Sequence, residues 1–153
     1  MITDVLLTVS GTNNPGTAIQ GQGPITAPVV STNTIDLGTA RDIGEGESLS
    51  MVFTVVVGFA GTGSVDMQVV IDTLPALSGP TVIGSTGAVA VANLTAGAQF
   101  VVRLPAQIAS LGKRYLGAQY TTASSPTTGT ILAQIVLDIQ DGKKFYPSGF
   151  TVA

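Results

Sequence analysis

The chain has 153 residues and a net charge of −3, and only 10% of its residues are charged, against roughly 25% in a typical soluble protein. So little charge excludes a surface that attracts the phosphate backbone of a nucleic acid. It also leaves a surface poorly protected against association, which favours burial against a partner or against copies of the same chain. Hydrophobic residues make up 44% of the chain, enough for one domain with a full core.

The N-terminal segment predicts a strand followed by a long loop. DVLLTV, residues 4–9, is apolar enough for a strand, and its acidic start makes a poor signal peptide. Residues 10–28 are uncharged and rich in Gly, Pro, Thr and Asn. We interpret residues 10–28 as an extended arm outside the domain; the alternative is a loop packed on its own subunit.

The role of this segment can be tested by deletion. If DVLLTV only adds an edge strand, removal of residues 1–28 should leave a folded domain. If the strand is integral to a sheet, the same deletion should expose a strand edge and cause aggregation.

Residues 31–47 hold a cluster of charged side chains in a chain that has few. Its members are Asp36, Arg41, Asp42, Glu45 and Glu47. The alternating oxygens of DIGEGE resemble a calcium loop, but the rest of the twelve-residue pattern is missing. The favoured interpretation is a structural corner, in which two glycines of DIGEGE form a tight turn that Asp42 caps. Arg41 would then lie near a carboxylate of the same or a neighbouring chain.

The stretch LSMVFTVVV predicts a strand because its apolar residues recur at every second position. The residues expected on one face are Leu49, Met51, Phe53, Val55 and Val57. SVDMQVVID predicts a second strand, with Val65, Met67, Val69 and Ile71 facing inward and with Asp66 and Asp72 among the outward residues. The glycine-rich GFAGTG between the two strands has the length of a hairpin connector, so we expect them to pair with each other.

Three further segments alternate in the same way. QFVVRL places Phe100, Val102 and Leu104 on one face, RYLGAQYT does so for Leu116, Ala118 and Tyr120, and TILAQIVLD does so for Ile131, Ala133, Ile135 and Leu137. Tyr120 is therefore expected in the core, and Tyr115 on the opposite face. No window keeps a helical apolar stripe over the ~11 residues of an average helix. The class is all-β, a sandwich or a barrel.

The sequence lacks the residue types on which many catalytic sites depend. Cysteine and histidine are both absent, which excludes disulfides, thiolate nucleophiles, His-dependent triads and the usual zinc ligands. Asp66 and Asp72 are six residues apart on one strand, about 20 Å in an extended chain, too far to flank one glycosidic bond. GFAGTG lacks the Lys-Ser/Thr of a phosphate loop. We predict no enzyme activity and no cofactor or metal. The most apolar run is also too short for the ~20 residues of a membrane helix.

Four stretches of the sequence, taken in order, resemble the Bbp16-like family of phage capsid cement proteins. They are STNTIDLG, ARDIGEGESL, LTAGAQFVVRLP and KRYLGAQYT. The resemblance covers roughly residues 31–138; residues 10–28 look like an insertion, and the tail after Asp138 departs from the family pattern. It implies a single-domain β-sandwich of jelly-roll type that binds the outside of a tailed-phage head. The expected layout is an N-terminal strand and arm over residues 1–30, the sandwich over 31–140 and a tail over 141–153.

The resemblance implies a structural virion protein on the outer surface of the capsid, made in the cytoplasm of the bacterial host. Its expected partners are the major capsid protein and copies of itself, as a dimer or trimer, with no nucleic acid and no membrane. The candidate capsid or subunit interface is Asp36, Arg41, Asp42, Glu45, Glu47, Tyr115, Phe145, Tyr146 and Phe150. The alternative function is a glycan- or receptor-binding β-sandwich of a phage tail or cell surface.

Overall fold

The computed structural model describes residues 5–14, 17–23, 25–26, 28–43, 49–124 and 126–137. Nine strands and three short 3-10 helices make up the regular structure of these residues. The strands are β1 (Thr8–Ser10), β2 (Val29–Val30), β3 (Ile35–Asp36), β4 (Leu49–Ala60), β5 (Ser64–Asp72), β6 (Thr81–Ala90), β7 (Gln99–Arg103), β8 (Tyr115–Ala123) and β9 (Thr128–Leu137). The 3-10 helices are Val5–Leu7, Val91–Asn93 and Ala109–Leu111. The described residues include no helix of the length and apolarity needed to span a membrane.

The strands form two antiparallel sheets that pack face to face. The first sheet has the order β1-β9-β4-β7, and the second has the order β2-β8-β5-β6, with β3 also paired to β8. Because β2 and β3 share one edge of β8, they act as a single interrupted strand. Each sheet then has four strand positions, and the chain repeatedly crosses between the sheets, as in a jelly roll. The predicted all-β sandwich is confirmed.

The predicted inward faces supply the core between the sheets. From β4, β5, β8 and β9, the fully or nearly fully buried residues are Met51, Phe53, Val55, Val65, Met67, Val69, Leu116, Ala118, Tyr120, Ile131, Ala133 and Ile135. The rings of Phe53 and Tyr120 meet edge to face, with their centroids 6.0 Å apart. Two expected inward residues are exceptions. The register of β4 against β9 shifts between Val55 and Val57, and Val57 is 51% exposed. Leu137, the last residue of β9, is 47% exposed.

The expected hairpin between β4 and β5 is wrong. β4 pairs with β7 and β9 in the first sheet, whereas β5 pairs with β6 and β8 in the second. The glycine-rich connector therefore crosses from one sheet to the other. Gly61 and Gly63 both have positive φ, 99° and 101°, a backbone region that glycine adopts without the steric penalty of a side chain.

Described residues of the 10–28 segment pack on their own subunit, the second of the two alternatives. The amide of Gln22 donates to the carbonyl of Ile131 at 2.8 Å, and that of Ile25 donates to the carbonyl of Gly129 at 3.0 Å. Ile25 is completely buried in the core beside Val9 of β1. These residues continue the edge of the first sheet where β1 ends.

Gly63→Ala is expected to destabilise the fold far more than Gly87→Ala. A Cβ at Gly63 would lie 1.9 Å from the carbonyl oxygen of Ala123, whereas a Cβ at Gly87 would meet nothing within 4 Å. Both glycines have positive φ, so comparing the two variants separates the effect of the steric clash from the cost of placing alanine at positive φ. We expect Gly63→Ala to cost roughly 2–3 kcal/mol more than Gly87→Ala in urea unfolding. Equal losses of stability in the two variants would show that the connector between β4 and β5 accommodates the added methyl group without strain.

Candidate interaction site

The predicted corner lies where three strands of the second sheet end or begin. Tyr115, the first residue of β8, is paired with Asp36, the last residue of β3, and on its other side with Asp72, the last residue of β5. The three side chains therefore lie in one row across the sheet. Tyr115 is half-buried and lies off the core face, as predicted.

Asp36 and Arg114 form the strongest ion pair of the described corner. The Nε and Nη2 atoms of Arg114 donate to the two carboxylate oxygens of Asp36, each at 2.5 Å. The amide of Gly38 also donates to Asp36, at 2.7 Å. The guanidinium of Arg114 lies 5.2 Å from the ring centroid of Tyr115, within the range of a cation–π contact. A bidentate pair of this kind fixes the orientation of both side chains.

This pair predicts an unusually acidic carboxyl group. The hydrogen bonds from Arg114 and then from Gly38 lower the pKa of Asp36 from 3.8 to about 2. Its contribution to stability is therefore present above about pH 4 and is lost as the pH falls through about 2. NMR titration of the side-chain carboxyl should give a pKa near 2 in the native protein. In the Arg114→Gln variant the pKa should rise towards its ordinary value; an unchanged pKa would show that Gly38 alone is responsible.

Asp42 anchors the loop after β3, and Arg41 precedes it in the same loop. Arg41 lies beside Gly38, and its charge contributes to lowering the pKa of Asp36, so a carboxylate of the same chain lies near it. Oδ1 of Asp42 accepts a 2.7 Å hydrogen bond from the amide of Ala109, which begins a 3-10 helix. Asp42 therefore ties its loop to a segment distant in the sequence. The turn that it was expected to cap, residues 44–46, lies outside the described residues.

Asp72 closes the corner on the side of β5. Its side chain lies off the core face, as predicted, in the row of Tyr115, but the loop that follows the strand covers the carboxyl group and Asp72 is only 3% exposed. It accepts hydrogen bonds from the amides of Gly79 at 2.9 Å and Thr73 at 2.6 Å. The bond from Gly79 is the main cause that lowers the pKa of Asp72. Lys113 lies 3.9 Å from the carboxylate.

The structure thus brings Asp36, Arg41, Asp42 and Tyr115 together, and adds three residues that the sequence interpretation did not select. Arg114 and Lys113 were missed because the carboxylates that they contact are distant in the sequence, 78 residues away for Arg114 and Asp36. The adjacent basic residues Lys113 and Arg114, just before β8, were the sequence feature that could have pointed to these contacts. Asp72 was missed because the sequence does not show that its own loop folds back over it. The other predicted interface residues lie outside the described part of the chain; they are Glu45, Glu47, Phe145, Tyr146 and Phe150. Among the described residues, no three acidic side chains come together as metal ligands.

Charge is concentrated at this end of the sandwich. Of the eight charged residues in the described ranges, all except Asp66 lie where β3, β5 and β7 end and where β4 and β8 begin. These residues are Asp36, Arg41, Asp42, Asp72, Arg103, Lys113 and Arg114. We call this the charged end. The described carboxylates of this end, Asp36, Asp42 and Asp72, accept hydrogen bonds that hold the loops in place.

The family model of Bbp16 matches residues 19–135, well over half of the chain. The chain belongs to the Bbp16 family. Bbp16 is a phage-related family, and the match spans the corner and all strands from β2 to β8. It begins inside the 10–28 segment, so the residues from 19 onward are part of the Bbp16 domain rather than an insertion into it. No curated protein matches the chain.

Proposed function

We propose that this chain is a structural virion protein that binds the outer surface of a tailed-phage capsid and cements neighbouring major capsid proteins. The observation that carries the proposal is the match to the Bbp16 family over residues 19–135. Bbp16 is a phage-related family. The jelly-roll topology supports the proposal, because two packed sheets form a rigid unit that can bridge two neighbours without rearranging.

The composition supports the same function independently. A shell presents the same docking position many times, so modest contacts made at once by linked copies can hold firmly without one strong site. A chain in which only 10% of residues are charged has a surface that suits such contacts. In this proposal the partners are the major capsid protein and copies of this chain, and the protein acts on the virion surface after synthesis in the bacterial host.

The proposal assigns no catalytic role to the corner. Among the described residues of the corner, the carboxylates are already engaged: Asp36 by Arg114, Asp42 by the amide of Ala109, and Asp72 by the amides of its own loop. In Asp36 and Asp72 these hydrogen bonds lower the pKa of the carboxyl group, which makes each a poor general base.

Purified protein mixed with heads of the parent phage that lack it tests the function. We expect the protein to sediment with the heads and to raise the temperature at which they break open, because a ligand that binds only the intact state stabilises it. Failure to sediment with heads, together with binding on a glycan array, would overturn the proposal in favour of the glycan- or receptor-binding alternative.

A further inference from the structure

The end of the sandwich opposite the charged end carries no charged residue in the part of the chain that the structure describes. It consists of the connectors at residues 58–63, 91–98 and 126–128, with described residues of the 11–23 segment beside them. We call it the neutral end. Its exposed side chains are small and polar or apolar, such as Thr62, Asn93 and Thr95. Successive connectors of the described chain lie at alternate ends of the sandwich, so the fold places the eight described charged residues away from the neutral end.

Backbone hydrogen bonds join these connectors into one fixed surface. The amide of Phe59 donates to the carbonyl of Leu94 at 2.9 Å, and the amide of Val91 donates to the carbonyl of Gly63 at 3.0 Å. The amide of Thr127 donates to the carbonyl of Ala60 at 2.9 Å. Connectors held in this way lose little conformational freedom when a partner covers them.

Apolar side chains are exposed at the border of the neutral end. Val57 is 51% exposed, and its amide donates to the hydroxyl of Thr130. Gly21 lies against the same threonine, and Ile19, two residues before it, is 50% exposed. Exposed apolar side chains bordering an uncharged polar surface are typical of the composition of an interface core.

We propose that the neutral end is the surface that docks on the capsid shell, leaving the charged end in solvent. The inference rests on the proposed function. Burying ionised groups is costly unless each finds a partner, whereas hydroxyls, amides and backbone groups need only neutral hydrogen-bonding partners. The occupant is therefore a protein surface of the shell that presents neutral hydrogen-bonding groups and small apolar side chains. This surface differs from the charged cluster that the sequence favours as an interface.

Salt dependence distinguishes the two ends. Binding through the neutral end should change less than about threefold when the ionic strength is raised from about 0.05 to 0.5 M, since no charge pair is there to be screened. Binding through the charged end should weaken strongly over the same range. Co-sedimentation with heads across a salt series gives the measurement.

Charge substitutions provide the second test. Thr62→Lys and Thr95→Lys place a lysine at exposed positions of the neutral end, and the pair Thr39→Lys and Ser78→Lys places the same added charge at the charged end. We expect each neutral-end variant to bind heads at least about tenfold more weakly, because an unpaired charge is buried on docking. The charged-end variants should bind as the native protein does. Thermal melting and light scattering of every variant show that fold and oligomeric state are unchanged.

The outcomes separate this inference from the function. If the native protein does not bind heads at all, the proposed function fails. If it binds, but the charged-end variants are the weakened ones or salt abolishes binding, the function stands and the docking surface is wrong. If light scattering shows that the neutral-end variants no longer self-associate while they still bind heads, the occupant of the neutral end is a second copy of the chain and the inference is overturned.

Discussion

Deletion of residues 1–28 is expected to unfold the protein. β1 pairs with β9, and the segment after it continues that edge through Gln22 and Ile25. The deletion removes the side chains of Val9 and Ile25, both completely buried, which together contribute roughly 3–6 kcal/mol of hydrophobic stabilisation. That is a large share of the roughly 5–15 kcal/mol by which domains are stable. It also exposes the edge of β9, which favours aggregation.

Circular dichroism and light scattering of the truncated protein measure this result. Two point variants within the same segment give a matched comparison. Ile25→Ala should cost about 2–5 kcal/mol, whereas Ile19→Ala, at a half-exposed position, should leave the melting temperature nearly unchanged. A truncated protein that stays monomeric and melts like the native one would restore the interpretation of an arm outside the sandwich.

Tyr120→Ala is expected to cost about 3–5 kcal/mol. The ring of Tyr120 is completely buried between the sheets, against Phe53. Its hydroxyl donates a 2.7 Å hydrogen bond to the hydroxyl of Ser10 in β1. Truncation therefore leaves a cavity and removes a bond between the two sheets. Burial also raises the pKa of Tyr120, so its contribution to stability is complete below about pH 10 and is lost as the pH rises further.

Urea unfolding of Tyr120→Ala and Tyr115→Ala compares the two faces of β8. Tyr115 lies off the core face, where its ring contacts Arg114, so its loss should cost no more than about 1 kcal/mol. Tyr120→Phe should cost about 1–3 kcal/mol, because it leaves the buried hydroxyl of Ser10 without this partner. Adding Ser10→Ala should recover part of that loss. A larger loss for Tyr115→Ala than for Tyr120→Ala would contradict the assignment of faces.

The alternating segments were predictable because burial on one face leaves a period of two in the sequence. β4, β5, β8 and β9 carry that pattern, and most of their expected inward residues are in the core, with Val57 and Leu137 as exposed exceptions. β6 was missed because it is an edge strand interrupted by Gly84 and Gly87, with register shifts against β5. A residue is inserted at each shift, so the side chains do not alternate regularly.

Sheet membership was not predictable from the same pattern. β4 and β5 alternate equally well whether they pair with each other or face each other across the core, and the glycine-rich connector permits both. The corner shows the same limit. The sequence indicated a cluster between Asp36 and Glu47, but the partner of Asp36 is Arg114 and that of Asp42 is Ala109. Both contacts depend on how the two sheets are arranged.

The position of β9 between β1 and β4 affects how the protein folds during synthesis. β1 is made first of the nine strands and β9 last, yet β9 fills the centre of the first sheet. Until β9 leaves the ribosome, β1 has no partner in that sheet and one edge of β4 stays open. We therefore expect the nascent chain to remain without native structure until late in translation. Once β9 is available, folding should take milliseconds to seconds, as for other domains dominated by pairing between distant segments.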